Sequence, residues 1–297
     1  MELWIVFTLA AAAMQTLRFM LQKVLQGAGL STGGATFARF LFAAPVACAC
    51  AGGALWLGGE GLPAPSARFW GFVVVGGLAQ IVATFLTVAL FALRNFAVGV
   101  AFTKTETVQV ALFSALVLGE PVSAFGWVAI GIGLLGVLML SRGPGAGARI
   151  IGRPVVYGVL AGGLFGISAV GYRGATLDLL PLPFLTRAVV ALAAATVLQS
   201  LAMGLWLIWR EPGELSRVLA RWRRTVPVGL TGVFGSMGWF AAFSLQNAAY
   251  VRAVGQVEIV FTLIASSLFF RERLRLREGA GIALVVGSLL LIVLALG

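Results

Sequence analysis

Lys104 and Glu106 stand in the stretch "TKTETVQV" at 103–110, between apolar runs long enough to cross a bilayer. A charge at the membrane centre costs about 2.5–3.5 kcal/mol on insertion scales, and such residues usually mark a pathway or a binding site. A buried ammonium at 104 could hold a substrate carboxylate. A carboxyl at 106 could hold a substrate ammonium or a coupling proton, since burial favours its neutral form. At helical spacing the two side chains diverge by about 200°, so Lys104 is expected to pair across to another helix. Glu106 has a twin in Glu258, whereas the place of Lys104 is taken there by Gln256. A duplicated carboxylate also fits a packing role inherited by both copies. The unduplicated lysine is the better candidate for discriminating a substrate.

Other residues fit the same chemistry. Gln80, Thr84 and Thr87 form one stripe, and Trp239, Phe243 and Gln246/Asn247 recur at helical spacing, followed by Tyr250. A polar stripe in a lipid-embedded helix must face the bundle or a cavity, because lipid satisfies none of its groups. Amides and aromatic rings together suit a small amphipathic metabolite, although aromatic spacing of this kind also serves ordinary packing. Arg39 and Arg187 lie well inside apolar runs, where snorkelling or bonding to backbone carbonyls explains them without a ligand. Glu120 and Glu272 each begin a run, as a helix N-terminus favours, and Pro121 is compatible with that start. Gly158, Gly162 and Gly166, and the series Gly229, Gly232, Gly235 and Gly238, would let helices approach closely. Cys48 and Cys50 point in different directions on one helix and form neither a disulfide framework nor a metal motif.

The elements that position these residues follow from composition. The chain has 297 residues, 60% of them apolar and only 10% charged, against about 25% charged in globular domains. Its apolar runs fit helices crossing about 30 Å of hydrocarbon, and the alternating segments of a β-barrel are missing. The fold class is an all-α polytopic membrane protein. Ten transmembrane helices are predicted at 3–23, 32–57, 69–93, 96–118, 122–141, 154–176, 182–209, 226–247, 249–270 and 278–296. The break near Arg94-Asn95 is required because 69–118 is too long for one span. The N-terminal run has no basic region before it and is expected to be a retained first helix.

The stretch 142–153 divides the chain into a first repeat at 1–141 and a second at 154–297. Residues 91–120 align with 243–272 without gaps, with ten of thirty positions identical, among them Asn95/Asn247, Glu106/Glu258, Ser114/Ser266 and Glu120/Glu272. With small shifts, Arg39 corresponds to Arg187 and Lys23 to Arg173. Five helices per repeat force the second to run in the opposite sense, giving two inverted five-helix repeats with a site expected near the midplane between them.

Charge gives orientation. The net +11 reflects topology rather than nucleic-acid binding, since most basic residues fall in the odd-numbered loops. Arg68, Arg173 and Arg252 lie near the even-numbered loops. The positive-inside rule therefore places both termini outside the cytoplasm. Arginine-rich, lysine-poor usage points to a GC-rich bacterial genome, and hence to the bacterial inner membrane.

The sequence has no histidine, which removes a Ser-His dyad and most zinc sites. Its one aspartate, Asp178, cannot form the clusters that hold Mg²⁺-diphosphate. An intramembrane enzyme is thus disfavoured, no metal or cofactor is expected, and there is no charged ring or repeated filter of a channel. No P-loop is present for ATP hydrolysis.

"ARF" at 38–40 and the helix–Gly-Glu–helix hairpin at 111–140, repeated at 264–293, resemble the ten-helix EamA-domain branch of the drug/metabolite transporter superfamily. The resemblance spans the chain in two copies and is closest to bacterial amino-acid exporters of the aromatic type. It implies a secondary transporter that exports small metabolites such as threonine, methionine or aromatic amino acids. Purines, nucleotide sugars or drugs are the alternative cargo. It also implies cytoplasmic termini, against the charge count. The expected partners are the lipid bilayer and a small-molecule substrate, in a monomer or homodimer. The residues carried forward as substrate-binding are Lys104, Glu106, Gln80, Thr84, Trp239, Phe243, Gln246, Tyr250, Gln256 and Glu258.

Overall fold

The computed structural model describes residues 2–61, 63–93, 103–140, 153–270 and 276–296. The expected break at Arg94-Asn95, residues 142–152 of the linker, and Glu272 lie outside these residues. Among the described residues every regular element is helical. Six stretches are long and apolar enough to span a bilayer by themselves, and Glu106–Leu118, Ala124–Gly136 and Ala280–Ile292 are shorter apolar helices. The chain is a helical polytopic membrane protein, and its described helices group into ten spans, five in each of two inverted repeats.

The first span is α1 (Leu3–Gly27), and the second is divided into α2 (Thr32–Leu41) and α3 (Ala43–Gly58). The sequence predicted one helix over 32–57. Pro45 explains the division: it has no N–H for the Leu41 carbonyl and its ring clashes there, so the chain turns at Phe42. The third span is α4 (Ala67–Leu93). The fourth is described from Thr103 and contains α5 (Glu106–Leu118), and the fifth is α6 (Ala124–Leu140). The second repeat begins with α7 (Arg153–Asp178) and α8 (Phe184–Arg210). A short surface helix, α9 (Glu214–Ala220), precedes α10 (Trp222–Leu245), the eighth span. The ninth is α11 (Ala248–Val254), a 3₁₀ turn at Gly255–Val257, and α12 (Glu258–Phe270); α13 (Leu276–Leu296) is the tenth.

Packing obeys the two-fold relation. The third span packs on the sixth as the eighth packs on the first, and the fourth packs on the sixth as the ninth packs on the first. The second with the seventh, the fourth with the ninth, and the fifth with the tenth each map onto themselves. Glycines make the closest of these contacts possible. A Cβ on Gly171 would stand 2.9 Å from the Phe72 carbonyl oxygen and 3.0 Å from the Gly76 Cα, so α4 and α7 touch backbone to backbone. Gly238 lies against Phe7 and Ala11 of α1, and Gly229 against Phe42. The glycine series of α10 is thus a packing surface for the first repeat.

Candidate functional site

Glu106 and Glu258 are not in the interior of continuous helices, as their depth from the predicted starts suggested. Each is the first residue of a new helical segment within its span. Thr103 is helical, Lys104 and Thr105 form a turn, and α5 begins at Glu106; the 3₁₀ turn Gly255–Val257 leads into α12 at Glu258. Tightening to 3₁₀ geometry within a helix often marks a functional hinge. A carboxylate at a helix start also faces the positive end of the helix dipole.

The two carboxylates are braced crosswise between repeats. Glu258 Oε2 accepts from Lys104 Nζ at 2.5 Å and from Gln15 Nε2 at 2.7 Å. Glu106 Oε1 accepts from Arg252 Nη2 and lies 3.9 Å from Lys104 Nζ. Lys104 therefore bonds across to the other repeat, as expected, and keeps only the longer 3.9 Å approach to its sequence neighbour, although a turn rather than a continuous helix sets the geometry. All four charged residues are at most 6% exposed. Gln256 sits beside them and donates to Thr107 Oγ1 at 2.8 Å. Gly133 makes room for it: a Cβ there would be 2.5 Å from Gln256 Oε1.

Arg252 corrects the sequence reading, which placed it near a loop. It is buried in the ninth span, and its guanidinium lies 4.5 Å from the centroid of the Trp239 ring. The long side chain turns inward because α11 packs against other helices from its first residue, leaving no path to an interface. The same reasoning that singled out Lys104 would have found it. At the constant offset the equivalent of Arg252 is Val100, so it too is an unduplicated cation.

Next to this brace is a cavity lined by both repeats. Gln15, Arg39 and Gln80 come from the first; Ser168, Tyr172, Ser236, Trp239, Phe243 and Arg252 are among those from the second. Its free volume is about 20 Å³, room for little more than one water. A cavity this narrow takes a ligand only if the helices around it move apart. Arg39 projects onto it, donating to Thr84 Oγ1 at 2.7 Å. With the Gln80 amide oxygen turned to Arg39, Oε1 accepts at 2.8 and 3.0 Å, and the amide nitrogen donates to Ser168 Oγ at 2.5 Å. Tyr172 is held by Gln199, whose Nε2 donates to its hydroxyl at 2.9 Å. Trp239 Nε1 donates to Gln15 Oε1 at 3.1 Å, and Gln15 thereby joins the cavity to the brace.

Of the sequence candidates, Gln80, Trp239 and Phe243 line the cavity, Thr84 holds Arg39, and Lys104, Glu106, Gln256 and Glu258 form the adjoining network. Gln246 and Tyr250 do not join them. Gln246 Oε1 accepts from the Asn247 N–H at 2.8 Å, and Tyr250 bonds Ser123 at the membrane end. Helical spacing put Gln246 in line with Trp239, but α10 ends at Leu245, and Tyr250, expected at the next helix, turns to Ser123. At that end Arg173 donates to Glu120 from Nη2 at 2.7 Å and to the Phe243 carbonyl from Nη1 at 2.6 Å. Asn247 Nδ2 donates to the Glu120 carbonyl at 3.0 Å. Arg187 bonds only to the Thr176 and Ser244 carbonyls, which is the packing role; its counterpart Arg39 instead meets side chains at the cavity. Sequence reasoning did not select Gln15, Ser168, Tyr172, Ser236 or Arg252.

A cavity of rings and polar groups lined by both repeats lies where helical membrane transporters built of inverted repeats hold their substrates. The chain belongs to the EamA-like transporter family, whose model matches residues 2–142 and 153–294. It is a membrane transporter of the drug/metabolite transporter superfamily. No curated protein matches the chain. One solved crystal structure, described only as that of a "protein", covers 96% of this chain and 98% of its own with a TM-score of 0.64 at 20% identity, a likeness of fold.

Proposed function

We propose that the protein is a secondary transporter that exports small metabolites, amino acids first among them, by alternating exposure of the central cavity. The observation that carries this reading is the cavity itself: polar and aromatic, lined from both repeats, and too narrow to admit a ligand without movement. The moving bodies are the repeats 1–141 and 154–297, joined by 142–153. Opening the end that carries Glu120 requires the bonds from Arg173 and Asn247 to part, because they tie the first repeat to the second. The setting is the bacterial inner membrane, as the arginine-rich composition suggests.

Purified protein in liposomes is expected to carry radiolabelled threonine, methionine or phenylalanine down an imposed gradient. No flux of any of the three overturns the amino-acid reading, and flux of purines or quaternary cations in the same panel establishes the alternative cargo. Glu106→Gln is expected to lower folded yield, because Arg252 loses its counter-charge, and to abolish or uncouple flux in the protein that does fold; wild-type flux per folded molecule assigns Glu106 to packing.

A further inference from the structure

The charges around the cavity do not balance. Among the described residues the central region buries Arg18, Arg39, Lys104 and Arg252 against Glu106 and Glu258. Arginine does not lose its proton in proteins, so three positive charges persist whatever Lys104 does. With both carboxylates ionised, the site is positive by one charge or two. Burying uncompensated charge is expensive, and such groups are normally paired or neutralised.

The excess is not spread evenly. Each carboxylate is engaged through one oxygen, Glu258 Oε2 by Lys104 and Gln15 and Glu106 Oε1 by Arg252, while Glu258 Oε1 and Glu106 Oε2 have no hydrogen-bond partner; neither residue lines the cavity. Among the described residues Arg39 has only neutral partners, the oxygens of Thr84 and Gln80 and the face of the Phe40 ring. Arg18 lies beside it: a Cβ on Gly232 would be 3.2 Å from Arg39 Cγ and 3.5 Å from Arg18 Cδ. Arg18 is 1% exposed, donates to Gln22 Oε1 at 3.3 Å, and leaves Nη2 without a partner. Arg252 Nε is likewise unpartnered. The cavity wall thus carries two guanidinium groups, Arg39 and Arg252, and no carboxylate. Its remaining surface is largely rings. Trp239 and Phe243 are nearly parallel, 22° apart with centroids 6.1 Å apart, and Tyr172 lies 4.2 Å from Phe240 at 32°.

We infer that the cavity recognises its substrate by an anionic group, a carboxylate held by Arg39 and Arg252, attached to a flat apolar body that lies against Trp239 and its neighbouring rings. This rests on the transport reading above and sharpens it: the carboxylate is the recognised end of the substrate, and an ammonium is dispensable. A guanidinium is suited to a carboxylate because its planar fork of donors matches the two oxygens. A substrate ammonium would meet two like charges on a wall that carries no carboxylate among the described residues. The bound anion also supplies the charge that the empty cavity lacks, so the site is better balanced when loaded.

Wild-type protein in detergent provides the test, through tryptophan fluorescence titrated with 3-phenylpropionate and with phenethylamine. The two probes share a ring and carry opposite charges. The carboxylate is expected to bind at least tenfold more tightly. Arg39→Gln, checked for fold by size-exclusion chromatography, should reduce that preference to threefold or less. Equal binding of the two probes, or tighter binding of the amine, overturns the inference without any appeal to a variant. Flux in liposomes is a separate readout. Carboxylate-selective binding with no flux of any tested solute sustains the recognition and removes the transport reading. Flux of phenylalanine with amine-selective binding does the reverse.

Discussion

The fourth and ninth spans have the same backbone plan and carry different charges. In each, the helix tightens at mid-depth and restarts on a glutamate, Glu106 in one and Glu258 in the other. Two positions differ decisively: Lys104 faces Gln256 in the alignment, and Val100 faces Arg252. Each repeat therefore supplies one cation from a place where the other has none, and each cation binds the other repeat's carboxylate. Glutamates inherited by both copies fix the restart of the helix; cations added singly decide how the copies are held together. Duplicated polar residues thus read as scaffold, and unduplicated ones as the features that set this protein apart.

The sharpest way to break the comparison is to remove one carboxylate. Glu106→Gln leaves Arg252 without its counter-charge and raises the positive excess, and a broken buried pair costs about 3–5 kcal/mol. Glu258→Gln should cost less, because Lys104 still has Glu106 at 3.9 Å. Denaturation in detergent, with circular dichroism as the readout, checks the order; the reverse order shows that the two pairs are not organised as described. Next comes a double-mutant cycle. Lys104 and Glu258 should couple within the 0.5–3 kcal/mol usual for contacting residues, and Lys104 and Glu106 by less, since 3.9 Å separates them rather than 2.5 Å.

A smaller effect is expected at the membrane end. Glu120 and Arg173 are partly exposed, and pairs of this kind contribute about 1 kcal/mol or less. Glu120→Gln should hardly change unfolding, yet it weakens a bond that ties the repeats together. A cysteine placed at Ser123 should then react faster with a water-soluble maleimide. Unchanged labelling removes the Arg173 contact from the list of bonds that hold this end closed.

Much of this was legible in the sequence, and the limits have physical causes. Helix number, the inverted repeat and the pairing of Lys104 away from Glu106 follow from run length, alignment and helical spacing. Those quantities are local or periodic. The direction in which a long side chain reaches is neither. Arg252 lies a few residues from a turn, and distance along the chain gave its depth but not the inward path that α11 leaves it. Gln15 looked like a polar residue in the first helix, and only packing brings its amide between Trp239 and Glu258. Arg39 and Arg187 are equivalent by alignment but differ in what surrounds them, which no one-dimensional pattern records. The interruptions before Glu106 and Glu258 carry no proline, so the usual signal of a broken helix was missing.

Tyr250 gives the smallest expected effect and the cleanest separation of the two regions. The sequence grouped it with Trp239 and Phe243 as a binding candidate at the start of the next helix; in the structure its hydroxyl accepts from the Ser123 N–H at 3.1 Å and lies 3.2 Å from Ser123 Oγ. Tyr250→Phe removes those bonds and keeps the ring, so the cost should be about 0.5–1.5 kcal/mol, that of an ordinary hydrogen bond. Binding of 3-phenylpropionate should be unchanged, because neither the cavity wall nor the crossed ion pairs include Tyr250. Trp239→Phe keeps an aromatic surface but loses the donor to Gln15 and the strongest cation–π face for Arg252. It should weaken binding of the same probe severalfold. If Tyr250→Phe weakens the probe as much as Trp239→Phe does, the boundary drawn between the cavity and the membrane end is wrong.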